Sequence, residues 1–153
     1  MSLREAIEDK FKEAIKAKNT ADVNTLRLIK SAIKDKEIAL RTSKNKEGVG
    51  NEDILSILQN LIKQRKDSVE SFKVASRDDL IAIELSEIEI ISKFLPKQKS
   101  ESESIILVEK TIKDNNLKSI KDMGILMNLL KKNYSGSLDM ALVGKIAKSK
   151  LSL

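Results

Sequence analysis

The 153 residues contain no cysteine and no histidine. Without cysteine there is no disulfide, no thiolate nucleophile and no zinc-finger ligand set. Without histidine the usual general base near neutral pH and the commonest transition-metal ligand are gone, and no Ser-His or Cys-His pair can form within the chain. Five glycines are spread singly or as a Gly-Val-Gly step, with no Gly-rich phosphate loop of the Walker type. Tryptophan is absent, Tyr134 is the sole tyrosine, and the three phenylalanines fall on apolar stripes. Single-strand nucleic-acid binding stacks bases on aromatic platforms, so that mode is disfavoured. No apolar run approaches the roughly 20 residues of a membrane span, and the opening "MSLREAIEDKF" mixes charges from its fourth residue. The expectation is a protein with no membrane partner, no export signal and a cytoplasmic location.

Charge is abundant and unevenly placed. Met1–Pro96 carries 18 Lys+Arg against 17 Asp+Glu, a net of +1, whereas Lys97–Leu153 carries 11 against 6, a net of +5. Either the last third is a solvated lysine-rich surface or it is a polyanion-binding tail. The residues leave both open.

Apolar residues recur at spacings of three and four, and one proline, Pro96, interrupts them. That periodicity predicts an all-α protein. Ser2 with Glu5 reads as a capping box before a first helix with the stripe Leu3, Ile7, Phe11 and Ala14. A second helix runs from about Asp22 to Arg41, and the polar "TSKNKEGVG" after it reads as a mobile loop. Asn51 is the expected cap of a third helix. Ser76 with Asp79 is the expected start of a fourth, which Pro96 ends near Leu95. Ser100 with Glu103 forms another capping box, and three shorter helices follow at about Glu101–Asn115, Ile120–Lys132 and Leu138–Ser152. The layout is an N-terminal bundle of about four helices (1–96), a hinge (97–100) and a three-helix basic tail domain (101–153).

On the third helix Ile54, Leu58, Leu61, Val69 and Phe72 share a stripe with Arg65 at its centre, while Lys63 and Lys66 fall outside it. A buried guanidinium needs a carboxylate. The fourth helix interrupts its stripe of Leu80, Ile88, Ile91 and Leu95 with Glu84 and Glu87, and an Arg65–Glu84 ion pair fixing helix register is the expectation.

On the second helix Arg27, Lys30, Lys34 and Arg41 cluster within about 60° of arc, a ridge able to track phosphates, bordered by Glu37. In the tail the inward stripes are Ile105, Val108 and Ile112, then Ile120, Met123, Met127 and Leu130, then Val143, Ile146 and Ala147. Lys113, Lys118, Lys121, Lys131, Lys132, Lys145 and Lys148 are left mainly outside them. Lys131 and Lys132 at a helix C-terminus also compensate its dipole. Gly124 is expected to permit close helix approach and Gly136 to supply a positive-φ turn. The candidate RNA-binding set is therefore Arg27, Lys30, Lys34, Arg41, Lys121, Lys131, Lys132, Lys145 and Lys148. No catalytic residue, metal ligand or cofactor site is expected. An RNA partner would be gripped by backbone and shape.

Taken in order, "TLRLIKSAIKDKEI" (25–38), "IKQRKDSVESF" (62–72), "SRDDLIAIELSEIEIISKFLP" (76–96), "KDMGILMNLL" (121–130) and "GSLD" (136–139) resemble the YqeY-like proteins almost end to end. That family is similar to the C-terminal region of GatB, a subunit of the glutamine-dependent amidotransferase that amidates misacylated Glu-tRNA or Asp-tRNA. The resemblance implies an all-helical fold in two parts, with a tail that in the amidotransferase reaches the tRNA body. Lys131 and Lys132 match a basic stretch of the related tail. After Gly136 this chain has Ser137 and Leu138, where the family often has a basic residue and then a small one. The resemblance implies a non-catalytic accessory module binding tRNA or structured RNA. Two alternatives stay open: a protein-interaction module docking on amidotransferase subunits or an aminoacyl-tRNA synthetase, and carbon–nitrogen ligase activity with glutamine as amido donor within a larger complex. The chain has neither an amidase signature nor room for the catalytic domain.

Overall fold

A computed structural model describes residues 2–41 and 48–152. Most of the "TSKNKEGVG" stretch lies outside them. Among the described residues there are seven α-helices, one 3₁₀ turn and no strand. The chain divides into two compact units, Met1–Leu95 and Pro96–Leu153.

The first unit holds α1 (Leu3–Lys16), α2 (Thr20–Arg41), α3 (Asn51–Val74) and α4 (Asp78–Ser92). α3 and α4 form the most extensive helix pair, α1 lies on α2, and α2 also packs on α4. Their inward stripes meet in a core of Ile7, Ala14, Leu26, Ile29, Ile33, Ile54, Leu58 and Ile91. Ser2 Oγ accepts the Glu5 N–H at 3.1 Å, as the sequence indicates. Asn51 does something else. Gly50 is the N-cap of α3, with Asp53 Oδ2 accepting its N–H at 3.1 Å. The Asn51 amide oxygen instead accepts the N–H of Leu3 at 3.3 Å. Leu3 opens α1 and its N–H has no partner within that helix, so Asn51 satisfies a donor of a different helix.

Three helices are followed by a non-glycine residue in the left-handed region. Lys18, Ser76 and Asn116 hold φ of 55°, 54° and 52°. After α1, Asn19 N donates to Ala14 O and Lys18 N to Ile15 O; after α3, Arg77 N donates to Phe72 O and Ser76 N to Lys73 O. Both are paired 6→1 and 5→2 bonds of a Schellman motif. Ser76 therefore ends α3 rather than starting α4, whose N-cap is Arg77. The left-handed region costs a side-chain-bearing residue about 1–2 kcal/mol, and glycine returns about 0.5–1 kcal/mol of that in chain entropy. Ser76→Gly is accordingly expected to stabilise the protein by roughly 0.5–1 kcal/mol, read as a higher urea midpoint at unchanged slope. A lower midpoint would refute the assignment.

Arg65 lies on the inner side of α3 as expected, and Lys63 and Lys66 are exposed. Its partner is not Glu84 but Glu87: Arg65 Nε donates to Glu87 Oε2 at 2.7 Å, and Nη1 donates to Leu61 O at 3.0 Å. The reason is helix arithmetic. In an antiparallel hairpin, residues equidistant from the turn are level, and Arg65 and Glu87 are each eleven residues from Ser76 (76 − 65 and 87 − 76). Glu84 sits three residues, about 4.5 Å of helix rise, nearer the turn.

The second unit holds α5 (Glu101–Asp114), the 3₁₀ turn (Ile120–Asp122), α6 (Met123–Asn133) and α7 (Met140–Leu151). Its core is Val108, Leu126, Leu130, Leu138, Val143, Ala147 and Leu151. The stripe drawn through Ile120 is corrected: Ile120 is 47% exposed and Leu126 is fully buried in its place. Met123, Met127 and Leu130 of that stripe do pack in this core, whereas Ile120 lies in the 3₁₀ turn before α6 begins. α7 starts at Met140 because Asp139 Oδ1 accepts the N–H groups of Ala141 and Leu142 at 3.0 and 3.2 Å. Leu138 and Val143 then occupy the N′ and N4 positions of a hydrophobic staple. Gly136 has φ 76°, as expected. Gly124 lies in open space, and at Gly144 an added methyl would make an ordinary van der Waals contact with Met127 Cε at 3.8 Å, so neither position needs glycine for close helix approach.

The segment read as a hinge is tied into this unit. Lys99 N donates to Ser137 O at 2.8 Å, and Gln98 Nε2 donates to Gly136 O at 2.6 Å.

Candidate nucleic-acid interface

The α2 ridge divides. Arg27, Lys34 and Arg41 are exposed. Lys30 is engaged within the protein: its Nζ lies 3.0 Å from Glu8 Oε2 and 4.1 Å from the centroid of the Phe11 ring. Glu8 and Phe11 are three apart on α1 and present one carboxylate and one aromatic face to the ammonium, so Lys30 braces α2 against α1. Glu37, expected to border the ridge, is paired with Arg4 of α1. That leaves three outward cations.

In the second unit Lys131 and Lys132 are exposed in the last turn of α6. Lys145 and Lys148, three apart, are exposed on the outer face of α7, and Lys121 is exposed in the 3₁₀ turn. None of these five makes an ion pair among the described residues. Lys150 does, reaching Glu109 of α5 with Nζ–Oε1 2.7 Å. This unit thus presents a set of outward ammonium groups on α6, α7 and the 3₁₀ turn, of the kind that contact phosphates as point charges.

The start of α5 adds fixed electrostatics. Ser100 and Glu103 close their box in both directions at 3.2 Å. The Ser100 backbone N–H, then its hydroxyl, then Lys99 and Lys97 hold the Glu103 carboxyl below its ordinary value of 4.5. Arg77 does the same for Asp79, gripping both carboxylate oxygens at 3.1 and 3.0 Å. A carboxyl with a depressed folded-state pKa contributes stability that is complete above its unfolded value and lost as pH falls through the folded one. The melting temperature is therefore expected to fall below about pH 4.5, and to fall less steeply in Glu103→Gln. Thermal melts by circular dichroism between pH 7 and about pH 3 check this; parallel curves would remove Glu103 from the effect.

Among the described residues no three His, Cys, Asp or Glu converge as a metal set, and no helix is long and apolar enough to cross a membrane.

A model of the YqeY-like protein family matches residues 4–151. The chain belongs to the YqeY-like family. Curated relatives of this YqeY-like chain carry the name "Altered inheritance of mitochondria protein 41, mitochondrial". The protein of that name from Saccharomyces cerevisiae is 36% identical over 112 residues, covering 73% of this chain and 55% of the relative. The one from Clavispora lusitaniae is 38% identical over 95 residues (61% and 52%), and that from Lachancea thermotolerans 40% over 96 (63% and 49%). The YqeY-like chain spans about half the length of the curated relatives it matches. The cytoplasmic expectation is corrected by these matches: the relatives are named as mitochondrial proteins, and the expectation rested only on the lack of an export-like start.

The sequence found the exposed lysines of α6 and α7 because they lie outside short, regular apolar stripes. It missed the engagement of Lys30, for which Glu8 and Phe11 at i, i+3 were the available signal.

Proposed function

We propose that this YqeY-like chain is a non-catalytic accessory module that binds structured RNA, through the phosphate backbone, with the lysines of its second unit. The carrying observation is charge: Lys97–Leu153 holds 11 Lys+Arg and 6 Asp+Glu, a net of +5, and Lys121, Lys131, Lys132, Lys145 and Lys148 point outward without ion pairs among the described residues. Arg27, Lys34 and Arg41 give the first unit a second outward cationic face. With one tyrosine and no tryptophan, the chain offers phosphate contacts rather than stacking platforms, which favours folded over single-stranded RNA. That the RNA is a tRNA rests on the resemblance to the tail of GatB, an analogy of fold and not of site.

The test is a fluorescence titration of the full chain with bulk tRNA at several salt concentrations. Each neutralised phosphate releases counterions, so log K should fall linearly with log salt. Lys131→Ala with Lys132→Ala is expected to weaken binding evenly across RNA sequences, to lower the slope by about 2, and to leave the melting temperature in place. Absence of binding at low salt would return the lysines to the role of a solvated surface.

A further inference from the structure

The turn between α6 and α7 is clasped by residues that lie more than thirty positions earlier in the chain. Gly136 takes φ 76°, and its carbonyl accepts Gln98 Nε2 at 2.6 Å; the same amide group donates to Pro96 O at 2.9 Å. One residue on, Ser137 O accepts the Lys99 N–H at 2.8 Å. The turn is also tied to the end of α6: Ser137 N and Oγ both donate to Tyr134 O, Tyr134 N donates to Leu130 O, and Ser135 Oγ donates to Lys131 O at 2.8 Å. Ser137 and Leu138 are buried beneath it. A short series of hydrogen bonds therefore links the backbone of Lys99, through Ser137 and Tyr134, to that of Leu130, the residue before Lys131.

This clasp holds the segment that carries one cationic pair against the turn that follows another. Lys131 and Lys132 end α6, while Lys97 and Lys99 flank the clasping Gln98. Lys99 and, more weakly, Lys97 help to hold the Glu103 carboxyl below its ordinary value. Glu101 and Glu103 follow the first pair and Asp139 follows the turn; Glu103 is held by the Ser100 N–H, and Asp139 by the N–H groups of Ala141 and Leu142. Four cations against these three carboxylates leave a net of +1, and two of the three carboxylates are already engaged as helix caps. None of the four lysines forms an ion pair among the described residues, and the turn that separates the pairs is anchored at both ends. Cations on an anchored backbone lose less freedom on meeting a phosphate strand than cations on a free linker.

We propose that Lys97 and Lys99, with Lys131 and Lys132, form one two-segment basic lip that grips neighbouring phosphates of the RNA backbone, and that Gln98 is the positioning residue that holds the two segments together. The proposal rests on the RNA-binding reading above and adds to it two contact residues and a geometry.

The experiment uses the full chain and bulk tRNA, titrated between about 50 and 200 mM salt, a range over which several phosphate contacts change affinity by orders of magnitude. Lys97→Gln with Lys99→Gln keeps most of each aliphatic stem and is expected to lower the log–log salt slope by about 2, as Lys131→Gln with Lys132→Gln does; all four together lower it by about 4. Gln98→Leu changes no charge yet is expected to reduce both affinity and slope, whereas a residue serving stability alone would lower the melting temperature and leave the slope in place. Circular dichroism melts accompany each variant. If wild type binds and the Lys131/Lys132 variant loses slope while the Lys97/Lys99 variant does not, the lip is overturned and RNA binding stands. An unchanged slope in Gln98→Leu overturns the positioning role. If wild type does not bind tRNA at low salt, both fall together.

Discussion

Leu130→Ala is expected to cost the second unit about 3–4 kcal/mol. Leu130 is fully buried, enclosed by Val108, Leu126, Leu138, Val143 and Ala147 from α5, α6, α7 and the turn before α7. Truncation removes the transfer energy of the deleted carbons and leaves a cavity that surrounding side chains fill only in part, which for buried leucines amounts to about 2.7–5 kcal/mol. The unit has only 58 residues (153 − 96 + 1), and at about 0.05–0.15 kcal/mol per residue a domain of that size holds roughly 3–9 kcal/mol in all. The substitution thus removes a large share of what keeps α5, α6 and α7 folded. Hydrogen exchange on the amides of those helices should accelerate by about two orders of magnitude or more. Ile125→Ala, on the same helix but 54% exposed, should stay within about 0.5 kcal/mol of wild type. Equal effects at the two positions would mean that the core of this unit is misassigned.

Glu87→Ala should be the most damaging charge substitution in the first unit. It leaves the Arg65 guanidinium, whose side chain is 11% exposed, with Leu61 O as its remaining bonded acceptor. Stranding a fully buried charge costs about 3–5 kcal/mol; because Glu87 is itself 23% exposed, water can reach the vacated site, and about 2–3 kcal/mol is the expected loss. Replacing both partners, Arg65→Met with Glu87→Leu, removes the charge and its partner together and should cost clearly less than Glu87→Ala alone. Glu84→Ala should fall well below Glu87→Ala. Urea unfolding of wild type, Arg65→Met, Glu87→Leu and the double variant, read as a double-mutant cycle, gives a coupling above about 1 kcal/mol if the pair is as described. A coupling near zero, or a Glu84→Ala loss equal to that of Glu87→Ala, would refute it.

How far each feature could be read from the sequence depends on how local its cause is. The Ser2 and Ser100 caps involve residues three apart, and both were legible. So was the positive φ of Gly136, a residue that favours such turns. The helix ends at Lys18 and Ser76 were not, because the local signals for that conformation are glycine and asparagine and the chain puts lysine and serine there; the end of α5 at Asn115, beside Asn116, was. That Arg65 needs a carboxylate follows from its place in an apolar stripe. Which carboxylate depends on where the α3–α4 turn lies, and shifting that centre to Ser76 selects Glu87 over Glu84. The outward lysines of α6 and α7 were visible as a pattern of residues left over. The proximity of Lys99 to the end of α6 was not, since it depends on one backbone hydrogen bond spanning 38 residues (137 − 99).

The two cores share no buried residue: every side chain of the first lies at or before Leu95, and every one of the second lies after it. During synthesis the first unit therefore waits for nothing downstream. Once Leu95 has cleared the ribosomal exit tunnel, all the apolar surface that α1 to α4 need to bury is already outside, and domains generally fold as units in the order they emerge. Helix pairs that are neighbours in sequence close quickly because their contacts are local. The first unit can then be folded before the lysine-rich second unit has emerged from the ribosome, which limits how long its greasy stripes are exposed to other nascent chains.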